Sequence, residues 1–522
     1  MHQLSTLLAQ SAEQFPDKIA LIIDQQSYTY KKLDELTHRL ADAFLAQGVS
    51  QGDRIAFLLP NSIEIVLCYY ACFMIGAIAV PVNIQFNNEL IHYVLEQSKA
   101  HVFITTAHYY QQLLADEKIL NEIDECYLTS ESSGYSGVKN FQDLLLPRAI
   151  STPSDITIEP KEPALIFFTS GTTGLPKVVV HTHYSLSQGT QNQLRQIQIN
   201  HTDQTLVMFP ICYLIGLGSQ ILPFHAVGAT VILLPSFNPK DALTKLHLYG
   251  ITKIYGFPKL YLELINHAES LGYEINTLDF CFSAGDATPI SLQKKFNLLF
   301  HAEITEGCGM SELQIYSMNP PYGKKKTGSI GLPIEGMDMR LIDEKGELIL
   351  NPHQTGEIIV HGESMCSGYW QDPDLTAKTI KNGWLHTGDL AYRDKQGYYW
   401  FVSRKVDIIR CGKELISPSE IENIFYQHSA VKEAAAIALP NKNKTNDDKI
   451  IVYVVLKIKD NHLQAQTLMD FAHASLPPTK RPYQVIIMNQ LPYGFTGKID
   501  RNTLRQMANK ELDQEVLNLW TQ

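Results

Sequence analysis

Short apolar runs alternate with amphipathic stretches over most of this 522-residue chain. The runs are rich in β-branched and aromatic residues, and five examples are RIAFLLP (54–60), ALIFFTS (164–170), TLVMFP (205–210), TVILLP (230–235) and KIYGFP (253–258). Stretches between them, such as SLQKKFNLLF (291–300), have the periodicity of helices. Uninterrupted apolar runs are typical of strands covered on both faces by helices. The pattern predicts an α/β fold with largely parallel sheets.

The last third of the chain has a different pattern. From about residue 327, short strands with turn signals at DEKGE (343–347) and DKQG (394–397) predict a β-rich region with hairpins. After a boundary near residues 403–407, SPSEIENIFYQ (417–427) predicts a helix with a serine N-cap. Two apolar runs beyond it predict strands. We therefore expect a large amino-terminal domain and a small, separate α+β domain.

The charge and the cysteine content of the chain indicate which binding partners and which compartment to expect. The formal net charge is -11, from 43 basic and 54 acidic residues, which disfavours nucleic acid as the main partner. The eight cysteines form no Cys-x-x-Cys pair, so neither a zinc site nor a disulfide framework is indicated. This cysteine usage and the lack of a signal-peptide pattern predict a cytoplasmic protein.

One uncharged run, IVLCYYACFMIGAIAVPV (65–82), has the length of a membrane span. Gly76 and Pro81 interrupt it, and no basic cluster flanks it to fix an orientation. We therefore predict a buried helix followed by a short buried strand, and no transmembrane span.

The stretch TSGTTGLPK (169–177) concentrates hydroxyl groups, two glycines and a lysine. Glycines let backbone amides approach an anion, and hydroxyl groups and a lysine add further donors. The stretch departs from the usual nucleotide-binding pattern, because its lysine leads into the strand-like VVV and not into a helix. From the residues alone, two interpretations remain: a phosphate-binding loop, or a polar hairpin turn between strands 164–168 and 178–181.

TSGTTGLPK resembles the phosphate loop of the adenylate-forming (AMP-binding) superfamily, which includes acyl-CoA synthetases, firefly luciferases and peptide-synthetase adenylation domains. Other segments resemble that family's motifs in the family's order over nearly the whole chain: YTYKKLDELTHRLA (28–41), GDRIAFLLPNS (52–62), MIGAIAVPVN (74–83), EGCGMSE (306–312), GYW (368–370), WLHTGDL (384–390), SRKVDIIRCGKELISPSEIE (403–422) and GKIDR (497–501). The resemblance, closest to aryl and medium-chain acyl-CoA ligases, implies that ATP and Mg²⁺ are used to convert a carboxylic acid to acyl-AMP. It further implies that the acyl group is then transferred to CoA.

The resemblance also implies a domain division and catalytic residues. It divides the chain into residues 1–404, which bind AMP and the acyl group, and a mobile domain, 405–522, with a hinge near 404–407. It makes Lys498 the catalytic lysine of adenylation. It makes Glu312 the Mg²⁺ ligand, and it assigns phosphate contact to Ser311. After adenylation, the small domain would rotate about the hinge to admit a thiol.

Further site residues follow from the same resemblance. Asp389 and Arg404 are expected at the ribose, since a carboxylate can accept two hydroxyl hydrogen bonds. The residues expected to contact ATP or AMP are Thr169, Ser170, Gly171, Thr172, Thr173, Gly174, Lys177, Glu306, Gly307, Cys308, Asp389 and Arg404. Those expected to line the acid pocket are Tyr213, Leu214, Gly216, Ala284 and Gly285. The thiol is expected to pass Arg410, Cys411 and Gly412.

Several features leave alternatives open. The segment CYLIG (212–216) offers no carboxylate for a substrate ammonium, so an uncharged hydrophobic acid, aromatic or medium-chain, is favoured. Val406 stands where the family has Asp or Lys at the hinge, and Cys308 stands where an adenine-stacking tyrosine is common. The acceptor could be a carrier-protein phosphopantetheine in place of CoA, and a weakly active relative that serves as a binding module is a further alternative. We expect a monomer or a homodimer.

Overall fold

The computed structural model describes residues 3–114, 123–130, 135–147, 156–169, 176–271, 275–412, 414–440, 447–457, 464–493 and 499–520, and for 269–271 and 511–520 it describes the backbone. The chain forms two compact units. Unit 1 comprises Met1–Met339 and Val360–Leu385, and unit 2 comprises Arg340–Ile359 and His386–Gln522.

Helices and strands alternate through unit 1, while strands dominate the first part of unit 2. The α-helices are α1 (Leu7–Gln14), α2 (Tyr30–Ala46), α3 (Ile63–Ile75), α4 (Asn88–Ser98), α5 (Ala107–Leu113), α6 (His183–Ile197), α7 (Leu214–Gly216), α8 (Leu222–Ala226), α9 (Pro239–Tyr249), α10 (Pro258–Leu271), α11 (Ile290–Phe300), α12 (Pro373–Thr379), α13 (Pro418–Tyr426), α14 (Ala465–Ser475) and α15 (Arg501–Trp520). A π-helical turn, Leu217–Ile221, joins α7 to α8.

The strands are β1 (Ile19–Ile23), β2 (Gln26–Thr29), β3 (Arg54–Leu58), β4 (Ile78–Pro81), β5 (Val102–Thr105), β6 (Glu125–Leu128), β7 (Val138–Asn140), β8 (Pro163–Thr169), β9 (Lys177–Thr182), β10 (Gln204–Val207), β11 (Thr230–Leu233), β12 (Lys253–Gly256), β13 (Phe280–Ser283), β14 (Ile304–Met310), β15 (Gln314–Met318), β16 (Leu332–Pro333), β17 (Met337–Ile342), β18 (Thr355–Gly362), β19 (Gly368–Tyr369), β20 (Ile380–Lys381), β21 (Trp384–Arg393), β22 (Tyr399–Arg404), β23 (Ile409–Cys411), β24 (Glu414–Ile416), β25 (Val431–Leu439), β26 (Lys449–Leu456) and β27 (Gln484–Ile487).

Unit 1 contains two large sheets. One has the strand order β16-β15-β14-β13-β12-β10-β11-β1-β2, and it is parallel from β14 to β1. The other has the order β19-β9-β8-β4-β3-β5-β6-β7, and it is parallel from β8 to β7. The predicted α/β class with largely parallel sheets is therefore confirmed. In such sheets, ligands bind beyond the carboxyl ends of the strands.

The uncharged run at 65–82 forms a helix and a strand, as predicted. Helix α3 begins after Ser62, whose hydroxyl accepts the Ile65 N–H, and ends at Gly76. Gly76 has a φ of +70°, a left-handed conformation that glycine adopts without strain, and β4 follows directly. Within the described residues, no helix combines the length and the apolarity that crossing a bilayer requires.

Strands β17, β18, β21 and β22 lie side by side in that order. The turns predicted at DEKGE and DKQG are present, because the Gly346 N–H donates to the Asp343 carbonyl and the Gly397 N–H to the Asp394 carbonyl. The sheet β25-β26-β27 follows in the chain. Its two faces belong to separate apolar cores, one with α13 and α14 and the other with α15. A boundary at 404–407 would fall inside unit 2, and it stays a prediction.

The helix predicted at 417–427 is α13, and Ser417 occupies its N-cap position. The predicted serine cap is wrong in one respect, because the Ser417 side chain makes no capping hydrogen bond to the helix. Its hydroxyl instead donates to the carbonyl of Val402 and bonds to the Ser419 hydroxyl at 2.7 Å. The serine hydroxyl is therefore oriented by an acceptor on another strand and not by the first-turn amides.

Candidate active site

The predicted phosphate loop connects the two strands of a hairpin. Strands β8 and β9 are antiparallel, and Thr169 lies directly opposite Lys177 in their register. The hairpin geometry and the strand that follows Lys177 are as predicted. The predicted ligands Ser170, Gly171, Thr172, Thr173 and Gly174 lie outside the described residues. Thr169 and Lys177 therefore mark the two ends of the loop.

The carboxylate of Glu312 lies in a buried, structured setting. The Glu312 side chain is nearly excluded from solvent, and the Tyr369 hydroxyl donates a hydrogen bond of 2.8 Å to its Oε1. The Cys366 N–H donates to the Glu312 carbonyl at 2.8 Å. Burial, reinforced by the neighbouring Glu312 carboxylate, raises the pKa of Tyr369 above its usual range, so the phenol keeps its proton and remains a donor.

Tyr369 is held in place by its own short strand. Strand β19 pairs antiparallel with β9, with Tyr369 opposite Val179. The Tyr369 N–H donates to the Thr376 hydroxyl at 2.9 Å. Gly368 must be glycine here, because its φ is +136° and an added Cβ would lie 2.6 Å from Thr376 Cγ2. The ring of Tyr369 lies under Lys177, whose Nζ is 5.5 Å from the ring centroid.

Ser311 is fixed by a buried histidine at the end of β9. His181 Nε2 donates to the Ser311 carbonyl at 2.6 Å, and its Nδ1 lies 3.0 Å from the Ser185 hydroxyl. Burial lowers the pKa of His181 to about 4, so the ring is neutral at physiological pH. His181 therefore holds the Ser311–Glu312 segment by hydrogen bonding and without adding charge.

The motif residues Glu306, Gly307 and Cys308 lie in the middle of β14, where its pairing changes from parallel with β13 to antiparallel with β15. The carboxylate of Glu306 is buried and accepts the Gly328 N–H at 2.6 Å, and burial raises its pKa. At Gly307, an added Cβ would lie 2.5 Å from the Phe282 ring and from the Ser317 carbonyl, so the position admits only glycine. The Cys308 thiol accepts the Tyr316 hydroxyl at 2.9 Å.

The predicted acid-pocket residues follow two strands of the same parallel sheet. Tyr213 and Leu214 come after β10, and Ala284 and Gly285 come after β13, so both pairs lie beyond carboxyl ends. The Tyr213 hydroxyl accepts Asn83 Nδ2 at 3.0 Å. Leu214 and Ala284 are buried.

Gly216, the fifth predicted pocket residue, packs on the loop that precedes Tyr213. An added Cβ at Gly216 would lie 3.0 Å from Ile211 Cα, so a larger residue would displace this loop.

In unit 2, the two predicted ribose ligands face each other across a strand pair. Asp389 on β21 lies opposite Arg404 on β22, and Arg404 Nε is 3.3 Å from Asp389 Oδ1. The Asp389 side chain is 8% exposed while that of Arg404 is 45% exposed, so the carboxylate is the more firmly placed of the two. The Asp389 N–H donates to the Thr387 hydroxyl at 3.1 Å, which restrains the backbone of β21 at this residue.

The predicted hinge is exposed and tied to the last helix. Val406 is 60% exposed. Arg505 on α15 donates to the Val406 carbonyl at 3.1 Å and forms an ion pair with Asp407.

The predicted thiol segment is the hairpin β23-β24. The Arg410 N–H donates to Asp448 at 2.7 Å and the Gly412 N–H to Asp447 at 2.6 Å, with half-buried Cys411 between them.

The structure brings two groups of predicted residues together. Lys177 and Glu312 are linked through Tyr369, and Asp389 lies beside Arg404. Lys498 lies outside the described residues. Sequence analysis missed Tyr369 and His181 as site residues. Tyr369 is part of the GYW motif, so a signal was present, whereas His181 is one polar residue at the end of an apolar strand and carries no comparable signal.

The residues present fit a magnesium ion that is held mainly by a nucleotide. Mg²⁺ prefers hard oxygen ligands and commonly takes one or two carboxylates together with substrate phosphates and water. Glu312 offers one such carboxylate, with Oε1 already oriented by a hydroxyl donor. Within the described residues there is no group of three or more His, Cys, Asp or Glu that could form a complete protein cage.

Comparison with known proteins places these features in one family. Residues 8–370 match the family described as AMP-binding enzyme, and residues 420–498 match the AMP-binding enzyme C-terminal domain. A long-chain-fatty-acid–CoA ligase from Bacillus subtilis is 29% identical over 528 residues, which cover 96% of this chain and 94% of the relative.

Two solved structures are similar over nearly the full length. An anthranilate CoA ligase in complex with anthranoyl-AMP has a TM-score of 0.90 at 25% identity, with 98% of both chains covered. An o-succinylbenzoate CoA synthetase from Bacillus subtilis, in complex with ATP and a magnesium ion, has a TM-score of 0.84 at 25% identity, with 96% of this chain and 99% of that chain covered. Since the first family match alone covers more than half of the chain, this protein belongs to the AMP-binding enzyme family.

Proposed function

We propose that this protein is an AMP-forming acid–thiol ligase. It converts a hydrophobic carboxylic acid to acyl-AMP at the expense of ATP and then transfers the acyl group to CoA. The observation that supports this most directly is the buried Glu312 carboxylate, linked through Tyr369 to Lys177 at the end of the phosphate loop. A carboxylate and a lysine at the base of a glycine- and hydroxyl-rich loop suit a metal-bound triphosphate.

In the first step, a carboxylate oxygen of the acid bonds to the α-phosphorus of ATP. The bond from this phosphorus to the oxygen that bridges to the β-phosphate breaks, and pyrophosphate leaves. In the second step, the thiol sulfur bonds to the acyl carbon, the bond between that carbon and the AMP oxygen breaks, and the thiol proton passes to solvent. Both partners of the first step are anions, so catalysis depends on positive charge and positioning.

The proposed roles of the residues follow from this need. Lys177 and the loop bind the terminal phosphates, and Glu312 binds Mg²⁺, which neutralises phosphate charge when it is bound. His181 and Tyr369 keep the Ser311–Glu312 segment in place. Asp389 and Arg404 bind the ribose and phosphate, and Lys498 supplies charge where the acid and the α-phosphate meet.

The remaining assignments from sequence are retained as part of the proposal. Glu306, Gly307 and Cys308 would lie along the nucleotide. Arg410, Cys411 and Gly412 would line the path of the thiol, and residues 404–407 would form the hinge. A family boundary between residues 370 and 420 supports a division in this part of the chain.

The acid is proposed to be apolar. Leu214 and Ala284 are buried beside the expected pocket, and the segment CYLIG (212–216) offers no carboxylate for a substrate ammonium. The names of the relatives point to two classes, a long-chain fatty acid and the aromatic acid anthranilate. We favour an aromatic or medium-chain acid, because an aromatic side chain at position 213 would leave less room for a long chain in the proposed pocket.

Two alternatives concern the acceptor and the level of activity. A carrier-protein phosphopantetheine, supplied by another chain, could replace CoA. A weakly active relative that serves as a binding module is disfavoured by the retained Glu312, Asp389 and Lys498. We further propose a reducing, cytoplasmic location, since all eight cysteines are free thiols, and a monomer or homodimer as the working state.

Pyrophosphate release across a panel of carboxylic acids tests the proposal. Benzoates, cinnamates and fatty acids of increasing length are each supplied with ATP and Mg²⁺, and the reaction is repeated with CoA or with phosphopantetheinylated carrier protein. We expect acid-dependent pyrophosphate release and a thioester with CoA. Release that needs no acid, or no release with any acid, would contradict a ligase function.

The ribose role of Asp389 gives a separate prediction. We expect Asp389→Ala to weaken ATP binding by about 10- to 100-fold, because hydrogen bonds from a ligand to a buried charged group contribute about 1.5–3 kcal/mol. Calorimetric titration with ATP in the absence of acid measures this. Asp470→Ala, which removes an exposed carboxylate from α14, is the matched control. An unchanged ATP affinity in Asp389→Ala would exclude the ribose role.

A further inference from the structure

Three side chains from separate parts of unit 1 form a connected chain. Lys177 begins β9, Tyr369 ends β19, and Glu312 lies between β14 and β15. The Lys177 ammonium lies over the Tyr369 ring at 5.5 Å, and the Tyr369 hydroxyl donates to Glu312 at 2.8 Å. One tyrosine therefore contacts both the lysine at the end of the phosphate loop and the carboxylate proposed to bind metal.

We propose that Tyr369 is a positioning residue with two separable functions: its hydroxyl orients the Glu312 carboxylate toward Mg²⁺, and its ring holds Lys177 toward the nucleotide phosphates. This inference rests on the proposed function, in which Glu312 and Lys177 serve a metal-bound ATP. Tyr369 itself touches neither the metal nor the substrate in this proposal.

The hydroxyl function follows from the geometry of the carboxylate. An ionised carboxylate has about four acceptor positions and can rotate among several ion-binding orientations. A donor fixed on Oε1 removes that freedom and leaves the other oxygen for a cation. Tyr369 is well suited to this, since its ring is buried, its backbone is paired with β9, and its N–H donates to the Thr376 hydroxyl. Outer partners of this kind typically change metal affinity by about 10- to 100-fold.

The ring function follows from the position of Lys177. A lysine side chain has many rotamers, and fixing its ammonium over an aromatic face restricts them. Because Lys177 lies opposite Thr169 in the hairpin register, the ring holds the ammonium at the mouth of the loop. Loss of the ring should affect ATP binding whether or not Mg²⁺ is present.

The two functions are tested by binding, with no need for a known acid. ATP affinity is measured by calorimetry in Mg²⁺ and in EDTA for the wild type, Tyr369→Phe, Tyr369→Leu and Glu312→Gln. We expect Tyr369→Phe to need about 10-fold more Mg²⁺ for the same gain in ATP affinity, with unchanged affinity in EDTA. Tyr369→Leu should show that defect and also lose about 2- to 5-fold in affinity in EDTA.

Two further variants separate positioning from a general structural effect. Tyr30→Phe is the matched control, because it removes another buried tyrosine hydroxyl, one that donates to the Ala229 carbonyl, and it should leave the Mg²⁺ dependence unchanged. Thr376→Val removes the hydroxyl that accepts the Tyr369 N–H at 2.9 Å, so the tyrosine is less firmly held and the Mg²⁺ requirement should shift in the same direction by less. It keeps the test informative if Tyr369→Phe folds poorly.

Each outcome bears on a different claim. If Glu312→Gln loses the Mg²⁺ effect while Tyr369→Phe and Thr376→Val behave like the wild type, the positioning role is wrong and the proposed function stands. If Glu312→Gln retains the full Mg²⁺ effect, the metal role of Glu312 is wrong and the inference falls with it. An equal Mg²⁺ defect in Tyr30→Phe would also overturn the positioning role.

Discussion

Replacing Lys498 with alanine is expected to lower acyl-AMP formation by about 10²–10³-fold while thioester formation from supplied acyl-AMP stays near the wild-type rate. The magnitude is that of removing one preorganised group that stabilises developing charge. An ammonium on a long stem can contact both the acid and the α-phosphate as negative charge builds on the oxygens between them. The second step involves a neutral acyl carbon and an AMP leaving group, so it does not require the same charge.

The described residues that flank Lys498 in the sequence are hydrogen-bonded to one another and to neighbouring elements. Tyr493 and Ile499 form an antiparallel bridge, and the Asp500 N–H donates to the Pro492 carbonyl at 2.9 Å. Arg501, at the start of α15, forms an ion pair of 2.6 Å with Glu422 on α13. The described residues before and after Lys498, Tyr493 and Ile499, pack against the core of the sheet β25-β26-β27, so we expect Lys498→Ala to leave that core intact.

The measurement compares two half-reactions on one variant. Acid-dependent exchange of pyrophosphate into ATP reports the first, and thioester formation from synthetic acyl-AMP and CoA reports the second. Lys432→Ala, which removes a lysine whose side chain is 59% exposed, serves as the control and should leave both rates unchanged. Equal losses in the two half-reactions of Lys498→Ala would contradict the division of labour proposed for this residue.

Much of the fold could be predicted because strand and helix signals were strong and local. The five apolar runs became β3, β8, β10, β11 and β12, and Gly76 ended α3 as expected. The predicted capping hydrogen bond of Ser417 is absent for a non-local reason, because its hydroxyl donates to the carbonyl of Val402, which is 15 residues earlier in the chain. An N-cap prediction uses only residues that are neighbours in the sequence, so it cannot include a competing acceptor on another strand.

The site was predictable to the extent that its residues lie in motifs. Glu312, Asp389 and Lys177 all carry such a signal, but the contacts that orient them do not. Tyr369 and Glu312 are hydrogen-bonded although they are 57 residues apart in the sequence, and His181 and Ser311 are 130 residues apart. These contacts depend on which strands are neighbours, here β19 with β9, and that pairing is a property of the assembled sheet.

We expect the largest loss of folding stability from a substitution in a buried ion cluster, which no sequence motif indicates. Lys253 at the start of β12 is 1% exposed, and its Nζ lies 3.0 Å from Asp203 and 2.9 Å from Asp279. Burial alone would lower the pKa of Lys253, but hydrogen bonds to Asp279 and Asp203 outweigh it and raise the pKa. Because the pKa of Lys253 is higher in the folded than in the unfolded state, the ion cluster stabilises the fold fully at neutral pH. This stabilisation is lost as the pH rises above the usual lysine value of 10.5.

The cluster ties three neighbouring strands together at their amino ends. Asp203 precedes β10, Lys253 begins β12, and Asp279 precedes β13, while the carboxyl ends of β10 and β13 carry the proposed acid pocket. Lys253→Met keeps the side-chain volume and removes the charge. We expect it to reduce the free energy of unfolding by about 3–5 kcal/mol, because the 5%-exposed Asp203 carboxylate is then left buried without its cation.

Urea unfolding at neutral pH measures this loss, and two variants identify its cause. Lys32→Met removes an exposed lysine from a 3.3 Å pair with Glu35 on α2, and it should cost no more than about 0.5 kcal/mol. Adding Asp203→Asn to Lys253→Met should recover part of the stability, because the uncompensated charge is then removed. If Lys253→Met is no less stable than Lys32→Met, the ion cluster does not hold these strands, and the register of β10, β12 and β13 must be set by their apolar contacts alone.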